Sequence, residues 1–135
     1  MKKLLMIGMA LLFLSACSAV LISNDTSDVA IDVAASTIGY LIGKENPEKV
    51  SQWIDWGNKI LDIKPGFPVN SFEKLLAIGI EISTDDKFLK MQFNKLIKLL
   101  DFPELQPPDL PFLQEKYVAR VKLIIAGFLD GLYAA

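Results

Sequence analysis

The chain has 135 residues, 52% of them hydrophobic, with 14 basic against 16 acidic side chains and a formal charge of −2. That balance argues against nucleic acid as a partner, because neutralising phosphates needs a surplus of Lys and Arg. Histidine is absent and cysteine occurs once, so the usual general base and the common metal-ligand sets are missing.

Two lysines, Lys2 and Lys3, precede an eleven-residue apolar run from Leu4 to Leu14, within the ~7–15 residues of a secretory signal core. The run ends in Leu14-Ser15-Ala16-Cys17, which places the single cysteine where cleavage would fall. This tetrapeptide resembles the lipobox of bacterial lipoproteins. The resemblance implies a signal peptide over 1–16, lipidation of Cys17 as the new N-terminus, and a short tether over 17–24. It also implies a thioether-linked diacylglycerol, with palmitate-like acyl chains holding the chain to a membrane. Ser18 stands where aspartate in enterobacterial lipoproteins favours inner-membrane retention, which points to the outer membrane facing the periplasm. The competing reading is an uncleaved signal-anchor. Leu4 to Ile22 is nineteen residues without a charge, close to the ~20 a helix needs to span a bilayer.

Cleavage before Cys17 would remove 16 residues, two lysines and no acid, leaving 119 residues with a charge of −4. That length suits one domain, over 25–135, with a real core. Apolar spacing reads as helices almost throughout. The first spans about Asp25 to Ile42 and is apolar nearly all round, with Ala35, Gly39 and Gly43 at spacing four, so it reads as the central helix. Asn46, Pro47 and Glu48 open a second helix with a cap, a first-turn proline and an acid at the positive end. Its apolar arc holds Val50, Trp53, Ile54, Gly57, Ile60 and Leu61, while Trp56 falls at the border. Trp56 therefore reads as a rim residue with its indole N–H in water, or as an exposed binding aromatic.

A third helix is expected from Ser71 to about Ile82, capped by Asn70 with Glu73 completing a capping box. Ile78-Gly-Ile-Glu-Ile82 alternates, so its end also fits an extended segment. Ser83-Thr84-Asp85-Asp86 starts a fourth helix with a wide apolar face and a basic outer face of Lys87, Lys90, Lys95 and Lys98. That face is either an ordinary solvated surface or a contact with an anionic leaflet. Asp101 to Pro111 holds four of the seven prolines and reads as an ordered crossing over the domain. The last helix is expected over about Pro111 to Tyr133.

The fold class expected is all-α, a small bundle of about five helices. Gly39-Tyr40 and Asn46-Pro47, after the lipobox, resemble small uncharacterised lipoproteins, some of them phage- or prophage-borne; that likeness implies no activity. Neither a phosphate loop nor a Gly-x-Ser-x-Gly elbow is present. The functional expectation is a non-enzymatic interaction module, membrane-held by its lipid, with Trp56, Lys87, Lys90, Lys95 and Lys98 as partner-binding residues and an envelope protein or the membrane as partner. No cofactor and no metal site is expected. The competing expectation is a carrier enclosing an apolar ligand. Gly39, Gly43, Gly57 and Gly79 would line either tight helix contacts or the carrier's cavity, and glycine favours contact.

Overall fold

The computed structural model describes the backbone of residues 24–135 and the side chains of 28–135. The segment expected to be a signal peptide, Cys17 and the Leu4–Ile22 stretch lie outside the described residues. Five α-helices are present among those described: α1 (Asn24–Glu45), α2 (Val50–Leu61, entered through a 3-10 turn at Pro47–Lys49), α3 (Val69–Ile82), α4 (Lys87–Leu99) and α5 (Glu115–Ala134). The chain is an all-α bundle, as its periodicity predicts.

Contacts fix the directions. Asp28 of α1 pairs with Arg120 of α5, the Asp32–Ala35 turn meets Gly127, Ser36 and Tyr40 meet Gly131, and Gly43 meets Ala135. Both residue numbers rise together, so α1 and α5 run parallel, side by side. Lys49 reaches Ile82 while the Trp56 indole reaches Leu75, so α2 and α3 are antiparallel. Leu100, at the end of α4, meets Tyr117 near the start of α5. The start of α1, the α2–α3 loop and the proline-rich crossing therefore share one end of the bundle.

The tightest seam is the α1–α5 contact. Ala35, Gly39 and Gly43 on α1 face Gly127 and Gly131 of α5 and its cap residue Ala135, two stripes at the same spacing of four. A Cβ at Gly39 would strike the Phe128 carbonyl oxygen, and one at Gly131 would strike that of Ser36. Only glycine allows backbones this close. Beside the seam, Trp53, Trp56, Phe93 and Phe128 form a cluster with ring centroids 5.4 to 5.9 Å apart, mostly edge to face. That geometry matches the ring quadrupoles and adds to the apolar area buried.

Several expectations are corrected. The central helix is α5, not α1: ten α5 residues are buried, whereas Val29 and Val33 of α1 are 59% and 42% exposed. α1 continues past Ile42 to Glu45, because Gly43 still packs against Ala135 and only Pro47 stops the helix. α3 starts at Val69 and its Asn70–Glu73 capping box does not form. Instead Val69 N–H donates to the Pro111 carbonyl at 2.9 Å, so the crossing satisfies a helix-start donor that a side chain would otherwise cap. The expected end of this helix at Ile82 holds, and the extended alternative for Ile78 to Ile82 does not.

That same pairing delays α5. Gly66 N–H donates to Leu113 O (2.9 Å) and Leu113 N–H to Phe67 O (2.8 Å), so the chain from Pro111 to Leu113 is extended and α5 opens at Glu115. Gly66 has φ +89°, the left-handed region where a Cβ would be strained. Asn46 is buried, but its side chain does not cap. Its Nδ2 and the Trp53 Nε1 have no hydrogen-bond partner among the described residues.

Candidate interaction surface

The outer face of α4 gathers the expected basic residues. Lys87, Lys90, Lys95 and Lys98 are all exposed, together with Asn94 and Met91, the latter 48% exposed. At helical spacing these six side chains share an arc of about 140°. Leu89, Gln92, Phe93 and Leu96 are buried on the opposite side, which locks that arc outward. The six line a shallow open groove of about 460 Å³.

Local chemistry sets where this face begins. Asp86 caps α4, its carboxylate accepting from Phe88 N–H at 2.7 Å and Leu89 N–H at 3.3 Å. The expected start of this helix is thereby borne out by cap geometry. From Lys87 to Leu99 the helix contains no acid. Among the described residues none of the four lysines is within ion-pair distance of a carboxylate; the pairs formed are Lys49–Asp85, Lys59–Asp55 and Arg120–Asp28. Lys49 differs in kind: its ammonium donates to Ile82 O at 2.9 Å and so closes the C-terminal end of α3.

Trp56 does not join this surface. It is 1% exposed, lies within the aromatic cluster, and donates its indole N–H to Leu75 O at 2.7 Å. Both sequence readings of Trp56, wet rim and exposed binding aromatic, are overturned. Its border position on the α2 wheel is covered by α3, which the sequence of α2 alone does not reveal.

A second groove, of about 280 Å³, lies between the crossing and α5, lined by Asp28, Leu105, Lys116, Ala119, Arg120 and Leu123. Here the Arg120 charge is matched by Asp28, and its guanidinium sits 5.2 Å from the Phe102 ring centroid. These contacts tie the crossing and the start of α1 to α5. Sequence reasoning missed them, since the partners are far apart in the chain.

The described residues hold no group of three carboxylates, histidines or cysteines placed to share a metal ion. No helix among them is long and apolar enough to cross a membrane. Comparison with protein-family models, with curated proteins and with solved structures gives no match.

Proposed function

We propose that this chain is a lipid-anchored lipoprotein of the bacterial envelope, held at Cys17 and using its helical domain as a non-enzymatic interaction module at the membrane surface. The observation that carries the reading is the acid-free lysine face of α4, four ammonium groups locked outward on an otherwise acidic domain with no carboxylate within ion-pair distance among the described residues. The lipobox supplies the anchor: two or more acyl chains, at about 0.8 kcal/mol per buried methylene, hold a protein stably. The outer membrane, facing the periplasm, is the proposed location. Gly39, Gly43, Gly57 and Gly79 each abut a neighbouring helix, side chain or backbone. Those contacts favour a filled core over the ligand-lined cavity of a carrier.

The test is metabolic labelling with radioactive palmitate, comparing the full chain with its Cys17→Ala variant. Label in the parent and none in the variant is the expected result, with an N-terminal peptide that starts at Cys17. An unlabelled chain that retains Met1 would discard the lipoprotein reading in favour of the Leu4–Ile22 signal-anchor.

A further inference from the structure

Resting on the anchor proposed above, we infer that the outer face of α4 docks on an anionic phospholipid bilayer, laying the bundle on its side with α4 along the membrane plane. The first argument is the distribution of charge. The chain beyond residue 16 has a formal charge of −4, yet four of its twelve basic residues stand on one acid-free arc. Such an arc attracts an anionic leaflet within a Debye length of roughly 8 Å even when the whole domain does not.

The second argument is geometric. Cys17 is seven residues before Asn24, so a lipid there holds the start of α1 within about 25 Å of the headgroups. α1 itself, at 22 residues, is about 33 Å long. Two poses satisfy the tether: upright on the anchor end, or lying along the membrane. The anchor end exposes Asp28, Asp62, Asp101, Glu104, Asp109 and Glu115 against Lys64, Lys98 and Lys116. Upright, the domain presses mostly carboxylates onto an anionic surface. Lying on α4, it presents lysines. Electrostatics selects the second pose.

Composition selects lipid over protein as the occupant. Protein interfaces are enriched in aromatic residues and arginine and depleted in lysine. The α4 face has four lysines, no arginine and no exposed aromatic. Its one large apolar side chain, Met91, lies between the lysines, whose aliphatic stems can sink beside it while the ammonium groups stay among phosphates.

Lysine acylation footprinting of the full chain tests this. The protein is reconstituted in vesicles of phosphatidylethanolamine with phosphatidylglycerol, or of phosphatidylcholine alone, pulsed with an amine-reactive ester and digested for mass spectrometry. In anionic vesicles, acylation of Lys87, Lys90, Lys95 and Lys98 is expected to slow about tenfold, with Lys59 and Lys74 unchanged. The protection should vanish at about 0.5 M salt, where screening shortens the Debye length to ~4 Å. Equal reactivity in both vesicle types overturns the inference, as does protection that needs envelope proteins to be added. The Cys17 peptide in the same digest reads the anchor independently. Acylated Cys17 with unprotected lysines removes only the docking face, and unacylated Cys17 with protected lysines removes only the anchor.

Discussion

Gly39 and Gly131 do at residue scale what no side chain could: each lets the backbone of one helix rest on a carbonyl oxygen of the other. Alanine is intrinsically the better helix former by about 1 kcal/mol, so substitution would stabilise either helix in isolation. In the bundle the added methyl meets backbone, which cannot change rotamer. Overpacking a core typically costs ~1–3 kcal/mol, and rigid neighbours put these positions at the upper end. Gly39→Ala and Gly131→Ala are each expected to lower stability by about 2–3 kcal/mol, measured as a shifted urea midpoint. A midpoint unchanged or raised would show that the α1–α5 seam is looser than this geometry. Trp56 teaches a related point: its burial and its bond to Leu75 make it part of the core, not a handle for a partner.

Helix ends carry the interest at the scale of elements. α4 ends at Leu99, and the next carbonyl, Leu100 O, accepts from the Tyr117 hydroxyl at 2.8 Å. That bond pins the start of the proline-rich crossing to α5. Burial, with the Asp101 charge as a smaller cause, pushes the Tyr117 phenol up from 10.0 to about 12. The folded state thus binds this proton more tightly than the unfolded chain does. The resulting stability is fully present below pH 10.0 and is lost as pH rises through about 12. A loss on the order of 2–3 kcal/mol follows from that displacement. The fall in urea-measured stability across this window should therefore be steeper in the parent than in Tyr117→Phe, which lacks the titrating phenol. Identical slopes would remove Tyr117 from the linkage.

For the whole molecule, the core determines what can be separated from what. Every buried hydrophobic residue described lies between Ala35 and Leu132, and rings from α2, α4 and α5 meet in one aromatic cluster against which Gly79 of α3 packs. A fragment of residues 24–135 is accordingly expected to unfold in one cooperative transition, with far-UV and tryptophan signals coinciding. Two separated transitions would divide the bundle into independent parts. A single core also makes the domain rigid enough to present α4 as a fixed face, so that its lysines act together on one surface.

Residue order alone makes legible that the chain is helical, roughly where four connections fall, that Asp86 opens α4, and which lysines share its outer arc. Those features depend on spacing and on residues within a turn of one another, which the chain order contains. It also placed Cys17 at the end of a signal-like run, a local pattern in the same sense. The remainder comes from long-range packing. α3 begins at Val69 because Pro111 lends its carbonyl, and α5 opens late because the same segment is committed to that pairing. Trp56 is core because α3 covers it. The Ala35-Gly39-Gly43 stripe was legible, but its partner Gly127-Gly131-Ala135 has meaning only once the first and last helices lie parallel. Each of these depends on groups distant in the chain meeting in space, and no local periodicity encodes which distant carbonyl or helix will arrive.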